Sequence, residues 1–415
     1  MLVAQLARFG DLLQTKRLIL SLQASGAQVH LAVDRSLAGL AGRAFPDVVV
    51  HGLAAHGGVG EAEVVAANLP VLASLRRMDF DRVYNLNYSG LNFALASLFD
   101  PDTVRGYRFE QGQFLRDKWC ELAMRWSRFR RRAGLNLVDF WGLLADNPVS
   151  PGEVNPVPRP KGGGLGVVLA GRHSRRTLKP EVLAAMAGAI LAGTGFQGLK
   201  LLGTKAERPL ARALEDALPG PLRGQVENLA GATSMDDLFD VVGALDLLLT
   251  PDTGTMHLAA HLGTPVTALF TASAWAFETG PYGLGHRVWQ AQADCLPCLE
   301  TQECHMGLAC HEPFAGRNFL RHLSGNPEFE YPEGLLGLAS ALDALGLTYH
   351  VVMGQDPDAE RRRSFRSLVG DWAGLNAAGP AMPEPRDASL AMDFFQERDW
   401  MPAARPRLLN WPEML

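Results

Sequence analysis

Residues 252–257 read Asp-Thr-Gly-Thr-Met-His and follow directly on the apolar run Leu247-Leu248-Leu249. That run predicts a buried strand of a parallel sheet. A helix carrying Met256, Leu258, Ala259, Ala260 and Leu262 comes after it, Gly263-Thr264-Pro265 ends the helix, and Val266 to Phe270 is the next strand. Asp252, Thr253, Gly254 and Thr255 therefore fall between the carboxyl end of a strand and the amino end of a helix, where open α/β sheets bind ligands. Free backbone N–H groups and the helix dipole favour an anion such as a phosphate there, and Gly254 lets it approach the backbone. A carboxylate beside a diphosphate would be repelled, so Asp252 is expected to cap the helix or to accept bonds from sugar hydroxyls. The same residues also fit a cap and a turn with no ligand. His257, on an otherwise apolar helix, is a binding candidate by proximity or a hydrogen-bonded core histidine.

Other groups could do chemistry. Asp11 follows the first strand and precedes an apolar helix, so it reads as a cleft carboxylate or an N-cap. The loop Gly171 to Pro180 offers Arg172, Arg175 and Arg176, whose planar forks suit phosphate, unless the loop is only a basic surface. Cys295, Cys298, Cys304 and Cys310 form C-x2-C-x5-C-x5-C. Without a secretion signal, metal is favoured over disulfides. Structural zinc is the first reading, with reduced thiols, a facultative disulfide or an iron–sulfur cluster as alternatives. Cys120 is isolated and reads as packing. From Arg105 to Arg132 the chain is basic, with Arg105, Arg108, Arg128, Arg130 and Arg131 among its cations and Tyr107, Phe109, Phe114, Trp119, Trp126 and Phe129 between them. It reads as a docking surface for an acidic glycolipid or anionic headgroups, or as a solvated helix face with buried aromatics.

The elements that must position these groups alternate in type. Strands are expected at Leu2 to Leu6, Val29 to Val33, Phe45 to Leu53 and Asp79 to Leu86, with helices at Leu12 to Leu22 and Glu61 to Arg77. This is the pattern of βαβ units and a parallel sheet. Asn147 to Gly164, NPVSPGEVNPVPRPKGGG, is a linker. A second α/β series follows it. The expected organisation is a first domain over 1–147, the linker over 148–164, a second domain over 165–347 and an extension over 348–415. The 415 residues suffice for two domains, and 47% hydrophobic with 20% charged residues describes a globular protein. A net charge of -5 argues against a general nucleic-acid binder. No apolar run is long enough to span a bilayer, and Met1 leads straight into a strand. The expectation is a cytoplasmic protein, with peripheral contact at the inner face of the membrane as an open alternative.

Asp252 to Pro265, DTGTMHLAAHLGTP, together with Asn228 to Leu238, NLAGATSMDDL, resembles the C-terminal signature of the family 9 glycosyltransferases, the lipopolysaccharide heptosyltransferases and their relatives. The resemblance covers most of residues 1 to 345. It implies the α/β GT-B type, two Rossmann-like domains facing across a cleft, the first for the acceptor and the second for the nucleotide-sugar donor. It implies inverting transfer of heptose from ADP-heptose to a lipopolysaccharide core or related glycan, with no catalytic metal. Gly10-Asp11 matches a family Gly-Asp pair whose aspartate is read as the base. Gln5 stands where the family usually has a basic residue, and Lys16-Arg17 near its usual proline. Thr177 occupies the approximate place of a phosphate-binding lysine, for which Arg172, Arg175 and Arg176 are the substitutes. Glu207 falls where a family glutamate binds the donor ribose, and Thr233 near the base-binding position. Two other functions stay open: a nucleotide-sugar epimerase of similar fold, and a non-catalytic glycan- or partner-binding member.

Overall fold

The protein is described by a computed structural model covering residues 1–56, 61–126, 129–299, 301–326 and 331–375. Its first sheet comprises β1 (Leu2–Gln5), β2 (His30–Asp34), β3 (Val49–Leu53), β4 (Val83–Asn85), β5 (Val104–Glu110) and β6 (Gln113–Arg116), ordered β3-β2-β1-β4-β5-β6. All pairings are parallel except the β5–β6 hairpin. The second sheet comprises β7 (Leu165–Val168), β8 (Leu199–Leu202), β9 (Val226–Asn228), β10 (Leu247–Pro251), β11 (Val266–Phe270), β12 (Arg287–Ala291), β13 (Leu335–Leu342) and β14 (Leu347–Met353). Its order is β14-β13-β12-β11-β10-β7-β8-β9, with β13 and β14 antiparallel. The central strands β1 and β11 are buried along their whole length, which is why both are mostly apolar, with Gln5 and Thr267 the polar exceptions.

In each sheet the strand order reverses once among the parallel strands, between β1 and β4 in the first and between β7 and β10 in the second. Crevices open at the carboxyl ends of strands at such reversals. The two crevices face each other across the boundary between the sheets. This is the architecture of two α/β domains that the family resemblance implies.

Six helices matter for the site: α1 (Phe9–Gln14), α2 (Lys16–Ala24), α3 (Lys118–Trp126), α4 (Leu137–Gly142), α5 (Gly254–Leu262) and α6 (Ala359–Trp372). The expected helix over Leu12 to Leu22 is two helices. It starts earlier, at Phe9, and breaks at Thr15, whose hydroxyl donates to the Leu12 carbonyl at 2.6 Å. Asp11 thus sits in the first turn of α1 rather than ahead of it, and accepts from the Arg8 amide at 3.1 Å. The basic segment from Arg105 is first a β-hairpin and only then a helix. The second sheet does not stop at Leu347, because β14 begins there and pairs with β13.

Beyond β14, α6 returns to the first domain. Trp372 stacks on Trp119 with centroids 4.9 Å apart, and Phe365 meets Trp126 edge-on at 4.9 Å. Arg366 donates to the Gly134 carbonyl and, at 2.8 Å, to Asp343. The rest of the extension, from 376, lies outside the described residues. A buried ion pair also joins the halves. Arg17 meets Asp139 at 2.7 Å with both side chains almost fully buried, and donates to the Leu345 carbonyl at 2.8 Å. Asp139 further accepts from the Tyr282 hydroxyl at 2.5 Å and the Leu347 amide at 2.8 Å. One hydrophobic cluster continues from Leu12 and Leu13 of the first domain to Met256 and Leu258 of the second.

Candidate active site between the two sheets

The loop after β1 delivers Asp11. Asn87, just past β4, holds that loop: its side-chain oxygen accepts from the Leu6 amide at 2.8 Å and the Ala7 amide at 3.2 Å. Burial pushes the Asp11 carboxyl above its ordinary value, while the Arg8 amide and the charges of Arg8 and Arg172 hold it down. A raised carboxyl is a stronger proton acceptor once ionised.

Opposite, the turn after β10 is shaped by its own residues. Thr253 is the N-cap of α5, accepting from the Met256 amide, and Gly263 closes the helix in the left-handed conformation. Asp252 is therefore not the cap. Its carboxylate takes Arg176 at 2.8 Å and the Thr279 hydroxyl at 3.2 Å. Burial raises it to about 6 against the pull of Arg176, and the nearby charges of Asp11 and Glu278 push the same way. His257 lies 4.0 Å from Asp252. Burial lowers the imidazole to about 4, so it is neutral at pH 7, and its Nε2 is 3.3 Å from the side-chain amide of Gln14. Gln14 thus donates to Nε2, which places the ring proton on Nδ1.

Gly254 and Thr255 open α5 as expected, but the space at Gly254 belongs first to another helix. A Cβ there would lie 2.2 Å from Phe9 Cδ1, and one at Gly10 would lie 3.1 Å from His257 Cδ2. The glycines let α1 and α5 close on each other.

The structure brings Asp11, Asp252, His257 and Arg176 together and places Arg172 close enough to act on the Asp11 charge. Arg172 is exposed on its loop, whereas Arg176 is buried against a carboxylate. Arg175 donates to the Leu299 carbonyl at 3.1 Å. Glu207 lies apart from this cluster in the loop after β8, accepting from the Thr204 amide and hydroxyl at 2.5 Å each. Thr233 immediately precedes Ser234, the cap of the next helix.

The basic segment is not a free cationic face. Arg108 faces Asp117 at 3.5 Å and Glu110 at 3.6 Å. Arg130 reaches across the cleft to Glu278 at 2.5 Å, and Arg131 meets Asp358 at 3.1 Å. Arg105 turns to the backbone carbonyls of Asp102 and Val104. Arg128 lies outside the described residues.

The four clustered cysteines do converge. With Arg175 they line one cavity of about 200 Å³. Yet among the described residues no three His, Cys, Asp or Glu side chains are arranged to hold a metal ion. The zinc expected from the spacing is not supported by this geometry. Cys120 is buried in packing.

Sequence reasoning missed Gln14, Asn87, Glu278 and Thr279. Gln14 stands three residues after Asp11 and was within reach of a helical-face argument. The others depend on the tertiary fold alone.

Two crevices at opposed strand reversals, with a carboxylate on each side, define the GT-B class of fold. Residues 189–308 match the family model of Glycosyltransferase family 9 (heptosyltransferase), which upholds the resemblance drawn from residues 228–238 and 252–265. Lipooligosaccharide heptosyltransferase 2 of Haemophilus influenzae is 34% identical over 70 residues, 17% of this chain. That stretch spans only 20% of the relative's own length. Among solved structures, E. coli heptosyltransferase WaaC with ADP is similar with a TM-score of 0.54 at 18% identity, covering 70% of this chain and 93% of that one. E. coli ADP-heptose lipopolysaccharide heptosyltransferase II follows with a TM-score of 0.50 at 18% identity, covering 69% and 89%. At such identities the likeness is one of fold. Among the described residues no helix is long and apolar enough to cross a membrane.

Proposed function

We propose that the protein is an inverting glycosyltransferase that moves heptose from ADP-heptose to a glycan acceptor of the lipopolysaccharide core type. The observation that carries this reading is the placement of Asp11 and of the Asp252–His257 turn at opposed strand reversals. The two proteins of similar fold, E. coli heptosyltransferase WaaC with ADP and E. coli ADP-heptose lipopolysaccharide heptosyltransferase II, support the choice of donor. The acceptor hydroxyl oxygen bonds to the anomeric carbon of the donor while its proton passes to the Asp11 carboxylate. The bond to the diphosphate breaks on the opposite face, and the electron pair leaves with ADP. Arg172 and the first amides of α5 receive the developing charge, without a metal in the step. Asp252 keeps Arg176 fixed and receives sugar hydroxyls from the donor side. Glu207 and Thr233 are assigned to the ribose and the base. The setting is the inner face of the cytoplasmic membrane, approached from the cytoplasm.

The test is incubation with ADP-heptose, with and without a core-glycan acceptor. A glycosylated product of inverted anomeric configuration, read by NMR, is expected only in the presence of acceptor. Turnover of the sugar without acceptor would identify an epimerase instead.

A further inference from the structure

The β5–β6 hairpin forms one edge of the first sheet. β5 runs parallel to β4 as far as Gly106 and then continues to Glu110, paired from Tyr107 onward with β6. Gln111 and Gly112, both at positive φ, make the tight turn. Because β1, β4 and β5 run the same way, the turn projects past their carboxyl ends, the side on which the loop to Asp11 also lies.

Register sorts the side chains of the hairpin onto two faces. Tyr107 lies opposite Arg116 and Phe109 opposite Phe114, while Arg108 lies opposite Leu115 and Glu110 opposite Gln113. Alternation puts the first four on one face and the last four on the other. The rings of the first face meet one another. Phe114 lies 4.9 Å from Phe109, 4.7 Å from Phe93 and 5.6 Å from Tyr88 between centroids. Phe93 and Tyr107 are buried beneath, whereas Phe114 is 56% exposed, Tyr88 42% and Phe109 39%. The guanidinium of Arg116 stands over Tyr88, 5.2 Å from its centroid. The carboxylates nearest in the chain, Glu110 and Asp117, both face Arg108 of the other side. The projecting surface is thus a contiguous aromatic patch whose charged strand residue is a cation. A patch of this kind on a sheet edge marks a contact. A second copy docked face to face would bring Arg116 against itself. The headgroup layer of an anionic bilayer instead offers phosphates to Arg116 and takes the rings at its acyl boundary.

We infer that the aromatic face of the β5–β6 hairpin seats the first domain on an anionic lipid surface, through insertion of Phe109 and Phe114 rather than through the many arginines of residues 105–132. The inference rests on the glycosyltransferase reading for its purpose: a seated hairpin sets the Asp11 side of the cleft toward an acceptor carried by lipid. Rings that leave water hold on as salt rises, whereas a purely cationic patch lets go.

The experiment is co-sedimentation of the full chain with vesicles of phosphatidylethanolamine and phosphatidylglycerol, without donor. The wild type is expected to partition onto them, and about 0.5 M NaCl should weaken this by less than about ten-fold. Phe109→Ser combined with Phe114→Ser should weaken it by about ten-fold or more, since full burial of one phenylalanine is worth roughly ten- to hundred-fold. Phe109→Ser alone, whose ring meets Phe114 and lies at an exposed position, should show part of that loss and keeps the test decisive if the double variant fails to fold. Arg116→Gln should cost about five-fold on these vesicles and nothing on phosphatidylcholine. No partition of the wild type, equal partition of the serine variants, or complete release by salt overturns the inference. A wild-type dimer that the serine substitutions turn into a monomer would give the face to a second copy and overturns it as well. Partition is measured without donor, so its failure leaves the glycosyltransferase reading standing. Failure of the wild type to bind ADP in calorimetry strikes that reading and leaves the lipid contact as measured.

Discussion

Asp11 and Asp252 are chemically alike, and their surroundings give them different tasks. Asp11 has one backbone amide and no ion-pair partner at bonding distance among the described contacts, so its lone pairs remain available to a hydroxyl. Asp252 is held through one oxygen, Oδ2, by Arg176 and Thr279. Asp11→Asn keeps the shape of the side chain but removes proton acceptance. We expect kcat to fall by about 10²–10⁴-fold with ADP affinity unchanged by calorimetry. A drop in melting temperature with turnover intact would instead mark Asp11 as a structural residue of the first turn of α1. The titration of Asp252 gives a second expectation. Its folded pKa of about 6 lies above the ordinary 3.8, so the folded state binds the proton more tightly than the unfolded state. This group therefore stabilises the fold as pH falls through about 6 toward 3.8, and that stabilisation is lost as pH rises again. Protonation also releases Arg176, so kcat/KM should decline over the same fall. Activity and melting temperature measured between pH 5 and 8 should move in opposite directions; a parallel decline would remove Asp252 from the pH dependence.

Helices α1 and α5 meet across the cleft through glycine. A single methyl at Gly254 would strike the Phe9 ring, so Gly254→Ala should force the helices apart at an overpacking cost of about 1–3 kcal/mol. ADP affinity and melting temperature should both drop. Adding Phe9→Ala should restore most of both, as measured by calorimetry and thermal unfolding. If the double variant binds ADP no better than Gly254→Ala, the glycine serves the ligand directly. These elements were largely legible in the chain: Leu247-Leu248-Leu249 reads as a buried strand, and Thr253 and Gly263 bracket a helix by type alone. Their partners were not legible. Arg130 finds its carboxylate 148 residues away, so no local pattern separates it from a solvated arginine. The break at Thr15 arises from a side-chain hydroxyl replacing a backbone donor, which leaves the apolar period through Leu22 undisturbed. The four cysteines illustrate the converse. Their spacing brings them to one cavity, while ligand geometry depends on side-chain directions that spacing does not determine.

Across the whole molecule, the Arg17–Asp139 pair joins both domains, since Leu345, Leu347 and Tyr282 complete its shell from the second. Two glycines make room for it. A Cβ at Gly142 would lie 2.6 Å from Arg17 Cδ, and one at Gly346 would lie 1.9 Å from Asp139 Cγ. Arg17 thus serves as an internal strut. Asp139→Asn leaves the guanidinium buried without its counter-charge, which should cost about 3–5 kcal/mol in urea unfolding. Both domains should lose stability together in a single transition, followed by tryptophan fluorescence and far-ultraviolet circular dichroism. Two separated transitions in the wild type would show that the strut does not couple them.

The return of α6 to the first domain also bears on how the chain is made. Trp119 and Trp126 leave the ribosome long before Phe365 and Trp372, the rings that cover them. At ordinary elongation rates the interval is roughly 10–50 s. Throughout it the nascent first domain carries two uncovered indoles, a surface that chaperones bind and that neighbouring nascent chains on a polysome can also reach. Maturation of this half is timed by translation of the other.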